Sequence, residues 1–409
     1  MSPAATPVDI AALDAADPLR GVRDRFVAAD DPAVAAYLDG NSLGRPPRAL
    51  LQRYEDFIAK GWGTRLIRGW DEGWFERPIT LGDRIGRLTL GAAPGQTAVA
   101  DSTTVCLYKL VRAAVDLRPD RAAIVLDRGN FPTDRYVVEG IAAETGRTVR
   151  WIDPDPRGGV TPEDVAAAVD EDTAVVELSH VAYRSGHVAD LEAITALAHE
   201  AGALVVWDLC HSVGVLPLQL DTAGVDMATG CTYKYLNGGP GSPAFLYVRN
   251  GLIEEATQPI QGWMGVRDSF EMGPGYDPAP SIRRFISGTP PVLAMLAMEA
   301  TLDIIEEVGI EAIRAKSTRL TQAAIGLVDE RLADLGVELG TPRDPERRGG
   351  HVTIDHPAFE ALMPALWEQG VIPDFRPPSG IRLGLAPLTT SFAELEHGID
   401  TIADLLRQQ

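Results

Sequence analysis

No apolar run in the 409-residue sequence reaches the roughly 18 residues that a membrane helix needs. The start, MSPAATPVDIAALDAADPLRG, lacks a basic stretch followed by an apolar core, so no secretory signal is expected. Cysteine is scarce. Cys106, Cys210 and Cys231 are odd in number and form no C-x-x-C, which argues against a disulfide or zinc framework. They read as reduced packing residues in a cytoplasmic protein. The seven histidines include no H-E-x-x-H, and His351 and His356 sit in a strand-like stretch at unsuitable spacing, so no metal site is expected. Positive charge is also short: 37 Lys and Arg face 58 Asp and Glu, a net −21. That balance argues against nucleic acid and anionic membranes as partners. It still permits a small anionic ligand held by a local cluster of donors.

What is present is an ordinary globular composition, 45 % hydrophobic and 23 % charged, long enough for two domains or one large core with an appendage. There is no internal repeat. The middle of the chain alternates helix and strand. TPEDVAAAVDED offers Thr161 as an N-cap and Pro162 at the first helical position. TAVVELSH and ALVVWD are short continuous apolar runs, as buried parallel strands should be, and DLEAITALAHEAG between them is a helix closed by Gly202. Strand–helix–strand repetition of this kind predicts an α/β domain with a mostly parallel sheet. Beyond residue 290 the pattern changes to a smaller α+β unit. It contains a long helix after Pro290 and Pro291, a strand at HVTID, a strand at GIRLGLAPL and an amphipathic terminal helix. The first fifty residues show no obvious sheet and read as an arm. The expected division is 1–50, 51–290 and 291–409.

In open α/β sheets ligands bind beyond the carboxyl ends of the strands. Asp208 ends ALVVWD and is followed by His211; Lys234 follows MATGCT. Thr103 and Thr104 lie between TAVA and a helical pattern, Ser179 ends AVVEL, and Phe131 and Asp134 follow AAIVLD through a short loop. This set fits pyridoxal phosphate, which takes a lysine for covalent attachment and an acid to keep its pyridine nitrogen protonated. A helix N-terminus with hydroxyls suits its phosphate, and an aromatic face such as Phe131 suits its ring. Taken singly, each residue has a plainer role. The threonines could be N-caps, Phe131 core, His211 a satisfied buried histidine and GGPGS a simple turn. Convergence at one sheet edge is what those plainer roles do not predict.

As strings, YLDGNSLGRPP (37–47), DSTTVCLYKL (101–110), NFPTDRY (130–136), WDLCHSVG (207–214) and GCTYKYLNGGPGSPAF (230–245) closely resemble the kynureninase family. GWMG (262–265), RRFISGTPP (283–291) and GIRLGLAPLTTSF (380–392) extend the resemblance over nearly the whole chain. It implies the type I, aspartate-aminotransferase-like fold of pyridoxal phosphate enzymes: a large domain with a mixed, mostly parallel sheet between helices, and a smaller α+β C-terminal domain. Position by position it implies that Lys234 attaches the cofactor and Asp208 faces the pyridine nitrogen. It further implies that Thr103, Thr104 and Tyr233 contact the phosphate and Phe131 stacks on the ring. Asp134, Ser179 and His211 would complete the cofactor shell. Trp263 and Thr289 would reach the cofactor of the neighbouring subunit, implying a homodimer. Arg382 matches the arginine that grips the substrate α-carboxylate, and a planar guanidinium suits that task independently. Ser42 and Trp70 would lie on the substrate side.

The implied activity is hydrolytic Cβ–Cγ cleavage of L-kynurenine to anthranilate and L-alanine, with Lys234 moving the Cα proton and Tyr233 shuttling another. Relatives that prefer 3-hydroxykynurenine resemble one another in an Asn where this chain has Thr289, so kynurenine is the expected substrate. Competing expectations are another enzyme of the same fold, such as a class V aminotransferase or cysteine desulfurase, or a cofactor-binding regulator without turnover. Cys210 and Cys231 lie inside the cofactor motifs rather than on a separate loop, which disfavours the desulfurase.

Overall fold

The structure is a computed structural model that describes residues 8–409. The N-terminal arm carries one short strand, β1 (Ala36–Leu38). Three residues are too few for alternation to show in the sequence, which is why the arm reads there as sheet-free. The strand exists because its backbone pairs in parallel with a distant partner, matching Ala36 to Val371.

The larger sheet contains β2 (Thr97–Ala100), β3 (Ala123–Asp127), β4 (Thr148–Ile152), β5 (Thr173–Ser179), β6 (Leu204–Asp208), β7 (Met227–Gly230) and β8 (Ala244–Val248). Their spatial order is β2-β8-β7-β6-β5-β3-β4. Only β8 runs against its neighbours β2 and β7. Strands β2, β3, β6, β7 and β8 are buried at every position. Sheets covered on both faces select such unbroken apolar runs. Val125, Val176, Val205, Trp207 and Ala228 face one core, and Ile124, Leu126, Val175, Leu204 and Val206 face the other. This is period-two alternation hidden inside an all-apolar string.

Local signals set the crossover helices. Thr161 and Asp164 form a capping box ahead of Pro162. Asp190 caps Leu191–Glu200, and Gly202, at φ +78°, turns the chain into β6. Because the parallel strands share one direction, Asp101, Asn130, Ser179, Asp208 and Cys231 all emerge at the same edge.

A second sheet combines β1 with β9 (Glu338–Leu339), β10 (His351–Asp355), β11 (Val371–Arg376) and β12 (Gly380–Gly384), in the order β1-β11-β12-β10-β9. Helices Ile310–Arg331 and Phe392–Arg407 cover it, burying Leu320, Leu327, Phe392, Leu395, Ile399 and Ile402 in one cluster. Each such side chain contributes about 1.5–3 kcal/mol when fully withdrawn from water. The Val292–Val308 helix differs from the sequence expectation. Met295, Met298 and Leu302 pack in the core of the larger sheet, so this helix joins the two units. Buried Glu394 ties the arm down: it accepts the Tyr37 N–H at 2.8 Å and pairs with Arg23 and Arg45.

Candidate active site

A cavity of about 180 Å³ opens where the larger sheet's carboxyl edge meets the second sheet and the arm. Ser42, Thr103, Thr104, Phe131, Asp134, Asp208, His211, Tyr233, Lys234 and Arg382 line it. Ser179 sits immediately behind, its hydroxyl 3.3 Å from Asp208 Oδ2 and 2.7 Å from Asn130 Oδ1. Trp70, Trp263 and Thr289 do not line it. Trp70 stands edge-on to Trp74, with ring centres 5.6 Å apart, while Trp263 and Thr289 are exposed.

Lys234 is singular among the chain's four lysines. Lys60, Lys109 and Lys316 are each ion-paired, to Asp56, Asp101 and Asp17. Among the described residues Lys234 has no carboxylate partner; its Nζ meets only the His211 ring, 3.1 Å from Nε2. Burial and the charges of Lys234 and Arg382 hold that imidazole well below its usual range, so it stays neutral beside the amine. The loop bearing Lys234 is held from the arm: Gly44 N–H donates to Tyr233 O at 2.8 Å, and the Asn237 amide donates to Arg45 O at 2.9 Å. A Cβ on Gly44 would lie 2.3 Å from Lys234 O, so only glycine permits this approach.

Asp208 Oδ1 accepts the Cys210 N–H at 2.7 Å. Behind it lie two more acids. Burial and the neighbouring Asp208 push the Asp134 carboxyl well up, and burial with Asp134 and Asp208 does the same to Glu177. One Glu177 oxygen has no hydrogen-bond partner. Three clustered acids without an arginine form a site with a deficit of positive charge, suited to an N–H cation. At the opposite wall, Ser102 caps helix Thr103–Asp116 by accepting the Val105 N–H, and Thr103 and Thr104 at the start of that helix line the cavity, where their hydroxyls and unpaired N–H groups suit an anion.

Arg382 is 1 % exposed and fixed by three elements. Its Nε donates to Asp374 Oδ2 at 2.5 Å, Nη1 to Tyr183 O at 2.6 Å and Nη2 to Ser42 Oγ at 3.1 Å. Tyr233 remains a neutral phenol, its pKa raised by Cys231 and by burial. All three cysteines are free and buried, so none offers the exposed, mobile thiol a desulfurase requires.

A description of the class-V aminotransferase family matches residues 96–371. The chain is 42 % identical over 405 residues to the kynureninase of Pseudomonas fluorescens, covering 97 % of this chain and 95 % of that one. The chain belongs to the kynureninase family. A kynureninase of Burkholderia pseudomallei (strain 1106a) is likewise 42 % identical over 402 residues, with 97 % and 94 % covered. Among solved structures, the cystine C–S lyase C-DES in complex with cysteine persulfide superposes with a TM-score of 0.80 at 19 % identity, covering 93 % of this chain and 99 % of that one. The apo cysteine desulfurase of Thermococcus onnurineus NA1 gives 0.76 at 19 % identity, with 95 % and 98 % covered. At that identity the likeness speaks for the fold alone, the type I fold of pyridoxal phosphate enzymes.

Sequence reasoning missed several groups in this kynureninase-family site. Arg376 and Tyr183 line the cavity. Arg376 shares Asp374 with Arg382, its Nε 2.9 Å from the same oxygen. The strand register that places Asp374 opposite Arg382 explains the pairing, and no sequence spacing reveals it. His351, with neither ring nitrogen hydrogen-bonded, lies 5.6 Å from the His211 ring. Tyr235 is buried with its hydroxyl unpartnered.

Proposed function

We infer that this chain cleaves L-kynurenine hydrolytically between Cβ and Cγ, giving anthranilate and L-alanine. The observation that carries the inference is the unpaired Lys234 amine, set in one cavity with the Asp208 acid cluster and the Arg382 guanidinium. Bound pyridoxal phosphate supplies an electron sink for the pair released when bonds to the substrate α-carbon break. The residues fit that group. Lys234 attaches it, and Asp208, backed by Asp134 and Glu177, keeps a proton on the pyridine nitrogen. The first turn of the Thr103–Asp116 helix and Tyr233 hold the phosphate, while Phe131, 37 % exposed, offers a ring face. Ser179 and His211 complete the shell.

Arg382 holds the α-carboxylate and so places the Cα–H bond toward Lys234, which removes the proton. Ser42 flanks the substrate side, while Trp70, expected there, packs against Trp74 away from this cavity. The neutral Tyr233 phenol delivers a proton to Cβ as alanine forms. Water adds to the γ-carbonyl, and the departing acyl carbon leaves as anthranilate. Thr289 lacks the amide that would bind a ring hydroxyl, so kynurenine is preferred over 3-hydroxykynurenine.

The working form is a homodimer in which Trp263 and Thr289 reach the partner's cavity. Supporting this, large apolar side chains are exposed on two stretches of the chain: Leu51, Ile58, Trp62, Leu66 and Ile67, then Trp263, Phe270, Met272 and Leu293. The chain is organised as an arm (1–50), a cofactor domain (51–290) and a small domain (291–409), with the Val292–Val308 helix packed into the core of the cofactor domain. The three free thiols favour the cytoplasm. Mixing holoenzyme with L-kynurenine tests the activity: anthranilate fluorescence appears. A change in cofactor absorbance without product would instead indicate a regulator, and sulfide release from cysteine a desulfurase.

A further inference from the structure

We propose that Lys109 is a positioning residue for the cofactor phosphate: its ammonium holds the turn at Asp101 in the one shape that presents the Ser102–Thr104 N–H groups. The inference rests on the assignment of pyridoxal phosphate to this cavity. Lys109 has a completely buried side chain, 0 % exposed, on the Thr103–Asp116 helix. Helical side chains tilt toward their N-terminus, and this one runs back to the turn that precedes its own helix. Its Nζ lies 2.5 Å from Asp101 Oδ2 and 2.7 Å from Phe285 O.

Asp101 needs such a hold. It joins β2 to the helix at φ +43°, a left-handed conformation that costs any non-glycine residue some energy, Asp less than most, and that surrounding contacts help to hold. The main chain is pinned by Ala244 N–H donating to Asp101 O at 2.9 Å; Lys109 pins the side chain. The ammonium also offsets a carboxylate that adjoins the Ser102–Thr104 turn and would otherwise oppose an anion held there.

The test titrates the full-length protein, stripped of cofactor, with pyridoxal phosphate and separately with pyridoxal. Lys109→Met is expected to weaken pyridoxal phosphate roughly tenfold, about 1.4 kcal/mol, while pyridoxal affinity stays within about twofold. Lys109→Arg restores most of the loss. The double variant Asp101→Gly/Lys109→Met removes both the unpaired carboxylate and the left-handed cost, and is expected to recover selectivity for the phosphate form. Equal weakening of both ligands, no weakening of either, or a double variant that fails to recover would each overturn the proposal. Should Lys109→Met not fold, the double variant alone decides between recovery and failure. Wild-type protein that binds pyridoxal as tightly as pyridoxal phosphate would overturn the phosphate site itself, and this inference with it.

Discussion

Replacing Arg382 by lysine keeps the charge and removes the planar fork, which isolates geometry from electrostatics. The guanidinium is held by Asp374, Tyr183 O and Ser42, so its plane is set before any ligand arrives. A lysine ammonium cannot keep those three contacts and also meet a carboxylate through two parallel N–H groups. Each charge-assisted hydrogen bond is worth about 1.5–3 kcal/mol. Losing one, together with exact placement of Cα, costs ~2–4 kcal/mol, or roughly 30- to 1000-fold in kcat/KM. The fold should survive, because Asp374 keeps Arg376 as a partner. Anthranilate release from L-kynurenine gives kcat/KM, and the decarboxylated amine, used as a competitive inhibitor, gives the control. Its inhibition constant should be nearly unchanged, since it has no carboxylate to lose. A fall in kcat/KM below about fivefold, or equal weakening of the amine, would refute the clamp.

Tyr233→Phe removes the phenolic proton but keeps the ring; turnover should fall about 100-fold or more while pyridoxal phosphate affinity changes only a few-fold, and equal losses would remove the shuttle role. Burial pushes the Asp127 carboxyl up to about 6. The folded state therefore binds that proton more tightly than the unfolded chain, and the stability this confers is full below about pH 4 and lost as pH rises through about 6. Asp127→Asn avoids the loss, so thermal melts should show its advantage growing to ~3 kcal/mol above about pH 7; a gap independent of pH would contradict this. Phe270→Glu/Met272→Glu places charge in the exposed apolar patch, and light scattering should report a shift from two subunits to one. Wild-type protein already monomeric would overturn the shared-site arrangement.

The strands and crossover helices of the larger sheet were legible because local and global preferences agree there: apolar runs end in turns, and Thr161–Pro162 and Gly202 punctuate the helices. Asp208 and Lys234 were legible for a related reason, since the strand ends on which they sit can be read directly. The arm strand was not, because its stability comes from Val371, more than three hundred residues away. Arg376 and His351 escaped for the same cause: their places follow from strand register and from the meeting of two sheets. Lys109 looked like one more helical residue, and only its complete burial marks it out.

The central claim is that Lys234 is the group on which kynurenine cleavage turns. The most direct test compares anthranilate and alanine release by wild-type protein and Lys234→Ala, each saturated with pyridoxal phosphate. Wild type should release the two products one for one, and the variant should lose activity by about 1000-fold or more. Comparable turnover by the variant, or no anthranilate from the saturated wild type, would contradict the account.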